Sequence, residues 1–305
     1  MRISAKNALF LMFLAGAAGA LLWFAPHKEA QVSQKPRVAA TIFPLYDIVR
    51  TIAGSAVDVT LILPPGAEPH SYEPTPSVVR EVADAEAVYT IGHGLDAWIA
   101  PILAATTADT VIVDRGITLR RITKATPLGG SGDSAAPSAA ADDPHYWLTV
   151  PNAQRIAETV TDDLIARFPA DTAVFRANYA AFADQLRALD IGIRAKIPQG
   201  KRIVTFHDAW YYFADEYGVR IVGTFEPAPG REPTARSLAA LRAAIAETGT
   251  SVIYAEPLFS RSAIASFAID SAIRIATLDD IGGTPGKESY IALMNANADA
   301  IAETK

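Results

Sequence analysis

The chain has 305 residues, half of them apolar, and a formal net charge of −6. This length favours two domains, while the acidic balance and the lack of a lysine or arginine run argue against a nucleic-acid partner. No cysteine is present, which excludes disulfides, thiolate metal sites and thiol catalysis, and predicts that the protein is not a lipoprotein.

Residues 1–30 have the pattern of an export signal. Arg2 and Lys6 precede an uncharged apolar run from Ala8 to Phe24. This pattern is typical of a cleaved secretory signal peptide or, if uncleaved, of a membrane anchor. We therefore expect the protein to be periplasmic or otherwise extracytoplasmic.

Residues 37–168 alternate between strand and helix patterns. The predicted strands are RVAATI at 37–42, DVTLIL at 58–63, AVYTI at 87–91 and TVIVD at 110–114. Strands that alternate with helices predict a parallel sheet with right-handed crossovers. Residues 123–143 are small and polar without periodicity, which predicts an exposed loop, and a helix follows from Asn152 to Phe168.

One long amphipathic helix is predicted over residues 171–197. Its apolar residues recur at three- and four-residue steps, and Pro169 and the Pro198–Gly200 turn mark its ends. At 1.5 Å per residue this helix would be about 40 Å long, enough to hold two halves of a molecule at a fixed distance. The alternative is one amphipathic helix within a single large domain.

The alternation of strands and helices resumes in residues 201–305. The predicted strands are RIVTF at 202–206, VRIVGTF at 219–225, SVIYA at 251–255 and IRIATL at 273–278. The predicted fold class is therefore α/β, with two lobes that each contain a mostly parallel sheet flanked by helices. The lobes, at 37–168 and 201–305, are joined by the long rigid helix at 171–197.

The histidines mark a candidate metal site. His70, His93, His145 and His207 all follow predicted strands, and ligands bind at the carboxyl edge of an open parallel sheet. Asp279 ends the strand IRIATL and adds a carboxylate at the same kind of position. Three imidazoles and one carboxylate make a four-coordinate site for a divalent transition metal.

Other residues at strand ends are alternative ligands. His93 lies in a Gly-His-Gly turn, which favours a role in the turn or behind the ligands. Glu256 precedes Pro257 and is interpreted as a hydrogen-bond acceptor in a loop. Asp280 competes with Asp279 for the place of the carboxylate, and we expect Asp280 to point to the other side of the extended chain.

Four segments resemble the metal-binding substrate-binding proteins of ABC importers, in the zinc and manganese group. They are residues 64–98 (PPGAEPHSYEP…GHGLDAW), 143–158 (DPHYWLTVPNAQRIAE), 207–235 (HDAWYYFADEYGVRIVGTF…PTA), and YAEPLFS at 254–260 with TLDDIGG at 277–283. The resemblance implies two α/β lobes joined by a backbone helix, with the ion between them. It places His70, His145, His207 and Asp279 at the ligand positions.

The resemblance also implies a function and partners. The protein would capture a divalent metal and deliver it to a membrane permease that works with an ATPase, and we expect it to be a monomer. Zinc is the expected cargo because imidazole suits zinc, with manganese or iron as the alternative. The chain departs from the family in two places, since the 123–143 loop lacks histidine and Asp280 stands where a proline is usual.

Two other function classes fit the sequence less well than metal transport. A metallohydrolase with a three-histidine site would need a general base, and the chain has no HExxH motif. A two-lobed binder of a siderophore or corrinoid would have no reason to gather three histidines. We therefore expect a binding protein and not an enzyme.

Overall fold

The computed structural model describes residues 35–122, 141–226, 232–259 and 261–304. The predicted signal segment 1–30 and most of the predicted loop 123–143 lie outside these residues. No helix within the described ranges is both long enough and apolar enough to cross a bilayer.

The N-terminal lobe is built on a four-stranded parallel sheet. Its strands are β1 (Arg37–Ala40), β2 (Asp58–Leu61), β3 (Ala87–Thr90) and β4 (Asp109–Ile112). The spatial order is β2-β1-β3-β4, and every pairing is parallel. The helices of this lobe are α1 (Phe43–Ala53), α2 (Pro76–Glu81) and α3 (Ala100–Ala104).

The C-terminal lobe repeats the same plan. Its strands are β5 (Arg202–Thr205), β6 (Arg220–Thr224), β7 (Val252–Ala255) and β8 (Arg274–Thr277), in the parallel order β6-β5-β7-β8. Its helices are α6 (Tyr211–Tyr217), α7 (Ala235–Thr248), α8 (Arg261–Asp270) and α9 (Tyr290–Glu303). In both sheets the strand order reverses at the centre, which is where open α/β sheets form a binding crevice.

Two long helices connect the sheets. Helix α4 (Val150–Arg167) starts at Thr149, whose hydroxyl accepts a hydrogen bond from the Asn152 amide and so satisfies one free N–H of the first turn. Helix α5 (Thr172–Lys196) has 25 residues, or about 37 Å of length. This helix matches the predicted one at 171–197 to within a residue at each end.

Helix α5 is part of the core of both lobes. It buries one face, made of Phe175, Phe182, Ala183, Leu186, Leu189 and Ile193. Apart from Ala183, this face belongs to a cluster of buried apolar residues that includes Val38 in β1 and Val252 in β7. Separate apolar clusters cover the other faces of the two sheets. The predicted fold class is confirmed, whereas the domain limits 37–168, 171–197 and 201–305 stay predictions, because one core runs through all three.

Candidate metal centre

Three of the predicted ligands meet between the lobes. His70 lies in the loop after β2, His145 lies just before the turn of 3-10 helix at Tyr146–Leu148, and His207 follows β5. One ring nitrogen of each histidine lies within 4.8 Å of the other two. His145 and His207 are buried, and His70 is half-buried.

The spacing of these imidazoles suits a small ion. Nε2 of His70 lies 3.3 Å from Nε2 of His145. Two nitrogens bound to zinc at about 2.1 Å in tetrahedral geometry would be about 3.4 Å apart. Nε2 of His207 makes no hydrogen bond within the described structure, although the residue is only 2% exposed. A buried nitrogen without a partner is costly, and a metal ion at this place would satisfy it.

Two buried carboxylates stand behind the imidazoles. Asp143 Oδ1 accepts hydrogen bonds from the amide of His145 at 3.0 Å and from its Nδ1 at 2.8 Å. A proton held on Nδ1 leaves Nε2 with a free electron pair toward the centre. Glu256 Oε1 lies 3.0 Å from Nδ1 of His207 and accepts a hydrogen bond from Trp210 Nε1.

One of these two carboxylates has a different setting from the one predicted. Asp143 falls within the segment predicted to be an exposed loop, yet it is only 3% exposed. Its place two residues before a histidine was the available signal. Glu256 was correctly interpreted as a hydrogen-bond acceptor, but its closeness to His207 depends on the packing of β5 beside β7.

His70 is held in a different way. Among the described residues, no carboxylate bonds to its ring. The ring nitrogen Nε2 lies next to Nε2 of His145. The indole Nε1 of Trp98 donates a 2.7 Å hydrogen bond to the carbonyl of Pro69, the residue before His70. The ring of Tyr72 packs edge-on against Trp98, with centroids 4.9 Å apart.

The carboxylate of Asp279, the predicted fourth ligand, has partners other than the imidazoles in this structure. Asp279 Oδ1 accepts hydrogen bonds from the amides of Ile281 and Gly282. Its Oδ2 lies 2.8 Å from Nζ of Lys287. These partners occupy the Asp279 carboxylate, so it holds its own loop together.

Asp280 faces the histidines instead. Its Oδ2 lies 3.9 Å from Nε2 of His207, and the residue is 3% exposed. The carboxylates of these two neighbouring aspartates thus have different partners. The reason lies in the loop after β8. The amides of Ile281 and Gly282 and the ammonium group of Lys287 in this loop bond to the carboxylate of Asp279.

Burial and charge set the pKa values at the centre. Burial, together with the nearby His145 and His207, lowers the pKa of His70 from 6.5 to about 3. Burial alone would lower the pKa of His207, but the charges of Glu256 and Asp280 outweigh it and raise the value to about 9. Burial also raises the pKa of Asp280, although His207 opposes this effect. With its raised pKa, His207 carries a proton at neutral pH in the metal-free site.

His93 lies apart from the three imidazoles. Its Nε2 is 2.9 Å from Asp114 Oδ2, and its Nδ1 is 3.7 Å from Asp142 Oδ2. Its backbone has a φ of 53°, between two glycines that also have positive φ. These contacts agree with the interpretation of His93 as a residue of the turn.

Relatives of this chain bind zinc or manganese, according to their names. The manganese-binding lipoprotein MntA of Halalkalibacterium halodurans is 31% identical over 271 residues, which cover 86% of each chain. The zinc-binding lipoprotein AdcA of Streptococcus pneumoniae is 26% identical over 93% of this chain. The chain spans only 59% of the length of AdcA.

These relatives correct one prediction. The lack of cysteine was taken to exclude a lipoprotein, but MntA and AdcA are both named lipoproteins. The exclusion is therefore wrong as an inference about this group of proteins. The number of cysteines in a sequence does not establish whether such a protein is attached to a membrane.

The fold and the sequence agree on the family. A crystal structure of ZnuA superposes with a TM-score of 0.75 and 25% identity, covering 88% of this chain and 99% of that one. The family model of the periplasmic component A of the zinc-uptake complex, ZnuA, matches residues 38–304. The chain therefore belongs to the ZnuA family of metal-binding proteins.

Proposed function

We propose that this protein is the extracytoplasmic solute-binding component of an ABC importer for a divalent transition metal. It captures the ion between its two lobes and delivers it to the membrane permease, which works with an ATPase. The observation that carries the proposal is the group of three imidazole nitrogens within 4.8 Å of one another. The family membership supports the same function.

The proposed ligands are His70, His145, His207 and Asp280. Two of the imidazoles, His145 and His207, are backed by carboxylates, which raise the basicity of a ligating histidine and fix its ring. Asp280 supplies one negative charge against the double positive charge of the ion. Asp279, the carboxylate first predicted, is proposed to stabilise the loop.

This ligand set favours a carrier over an enzyme. Catalytic zinc sites keep an open position for water beside three protein ligands. Here the carboxylate of Asp280 stands next to the imidazoles, and the site is mostly buried between the lobes. A site with four protein ligands holds its ion, which is the task of a carrier. We propose that the protein acts as a monomer without catalytic activity.

Zinc is the proposed cargo, and manganese is the alternative. Three nitrogen ligands and one oxygen suit zinc, and at equal supply zinc outbinds manganese at such sites. The alternative has a specific reason, because the relative that is 31% identical is named for manganese. The supply of each metal in the native compartment then decides which ion is carried.

The metal content of the purified protein tests this proposal. Protein taken from its native compartment without added metal should contain about one zinc per chain by plasma mass spectrometry. His145→Ala and His207→Ala should lose this metal, whereas the control His93→Asn should keep it. Asparagine suits the control because it tolerates the positive φ at this position. Metal that survives both alanine substitutions would overturn the proposed site, and a full load of manganese would overturn zinc.

A further inference from the structure

The loop that carries Asp280 is held from both lobes. On the C-terminal side, Asn297 in α9 accepts a 2.9 Å hydrogen bond from the Asp279 amide and donates a 2.6 Å bond to the Asp279 carbonyl. On the N-terminal side, the indole Nε1 of Trp147 donates a 2.8 Å hydrogen bond to the carbonyl of Asp280. The carbonyl of Asp279 thus accepts a hydrogen bond from the C-terminal lobe, and the carbonyl of Asp280 accepts one from the N-terminal lobe.

Trp147 is itself tightly fixed. Its side chain is 1% exposed, and its ring centroid lies 5.3 Å from that of His145, two residues earlier. Its own carbonyl accepts a 2.8 Å hydrogen bond from the hydroxyl of Tyr290, at the start of α9. The amide of Tyr290 donates to Asp47 in α1. These contacts hold the indole of Trp147 in one position, from which it donates a hydrogen bond to the carbonyl of Asp280.

We propose that Trp147 is a positioning residue that sets the place of the Asp280 carboxylate from the opposite lobe. The inference rests on the proposed function, in which Asp280 binds the ion. Asn297 fixes the peptide before Asp280 and Trp147 fixes the peptide after it, so the direction of the Asp280 side chain is determined between them. The carboxylate then stands at the imidazoles before the ion arrives, and no rearrangement is needed on binding.

The first test removes the indole donor. Trp147→Phe keeps an aromatic ring beside His145 but cannot donate to the Asp280 carbonyl. Loss of one hydrogen bond of this kind should weaken zinc binding about three- to tenfold, mostly as faster dissociation. The measurement is chelator-competition titration together with stopped-flow release of zinc.

A double-mutant cycle separates positioning from simple packing. If Trp147 acts through Asp280, then Trp147→Phe should change zinc affinity by less than about twofold when Asp280→Asn is already present. An equal loss of affinity in both backgrounds would overturn the inference. Tyr254→Phe is the matched control, because it also removes a buried aromatic hydrogen bond, to Thr304. This control should lower thermal stability without changing zinc affinity.

A second measurement needs no substitution that might prevent folding. In the metal-free wild-type protein, the indole N–H of Trp147 should be protected from hydrogen exchange and should change little on adding zinc. Fast exchange of this proton in the metal-free protein would overturn the inference. The proposed function fails separately, if Asp280→Asn and His145→Ala leave zinc binding unchanged.

Discussion

The proposal that Asp280, and not Asp279, binds the ion gives the sharpest prediction. In Asp280→Asn the side chain keeps its shape but loses its charge next to His207. Unit charges about 4 Å apart interact by about 4 kcal/mol at an effective dielectric constant of 20, and a divalent ion doubles this figure. Before the ion binds, Asp280 Oδ2 lies 3.9 Å from His207 Nε2, and direct ligation would bring the carboxylate closer to the ion than that.

Only part of that attraction appears as affinity. In the metal-free protein the Asp280 carboxylate already interacts with the proton on His207, whose pKa is raised to about 9. Desolvation of the carboxylate further reduces the gain. We therefore expect a net loss of about 2–4 kcal/mol, or about 30- to 1000-fold in affinity. Asp279→Asn should change zinc affinity by less than about threefold and lower the melting temperature instead, since it breaks the ion pair with Lys287.

The assay is calorimetric titration of each variant with zinc in the presence of a competing chelator, together with thermal unfolding of the metal-free forms. Lys287→Gln serves as the matched control for Asp279→Asn, because it breaks the same ion pair without touching either carboxylate. If Asp279→Asn weakened zinc binding more than Asp280→Asn, while Lys287→Gln did not, the assignment of Asp280 would be refuted.

Four further predictions follow from the same structure. Zinc affinity should rise about tenfold per pH unit between pH 7 and 9, because the raised pKa of His207 means that a proton must leave when metal binds; titrations that show no proton release at pH 8 would contradict this. Glu256→Gln should weaken zinc binding about 10- to 100-fold and reduce that proton release, since the charge that holds the proton is gone; unchanged release would argue against Glu256 as its cause. Gly192→Ala in α5, where an added methyl group meets no atom within 4 Å, should stabilise the protein by about 0.5–1 kcal/mol without changing affinity, as measured by denaturant unfolding. Solution scattering curves of metal-free and loaded protein should nearly overlay, because a continuous helix resists bending; a clear decrease in radius of gyration on loading would contradict a rigid link.

The fold was largely predictable from local sequence patterns. Each strand is a short apolar run bounded by turn residues, and each longer helix shows a three- to four-residue apolar period. Helix α5 was predicted at 171–197 and extends from Thr172 to Lys196. The meeting of the three histidines was also predictable. All three follow predicted strands, and the family resemblance places the ends of those strands on either side of the ion.

The details of the carboxylates were not predictable for a physical reason. Asp279 and Asp280 are neighbours at one strand end, and their directions are determined by donors that are distant in sequence. Asn297 is 18 residues from Asp279, and Trp147 is 133 residues from Asp280. Asp143 was assigned to an exposed loop because its surroundings in sequence are small and polar. In the structure its carboxylate bonds to His145 and its carbonyl accepts a hydrogen bond from Tyr212, contacts that composition does not reveal.

The hydrogen bonds between the lobes also bear on how an ion is taken up. Trp147, Tyr290 and Asp47 tie the loop after β8 and the start of α9 to the N-terminal lobe, and all three side chains are buried. Opening the lobes widely would break these bonds at once, in addition to bending α5. His145 and Asp280 lie on segments fixed in this way. The His70 segment is held instead by the hydrogen bond from Trp98, by the packing of Tyr72 on Trp98 and by His70 itself. Any adjustment to the ion should therefore fall on His70, because it is the half-buried ligand and no carboxylate of the described residues holds its ring.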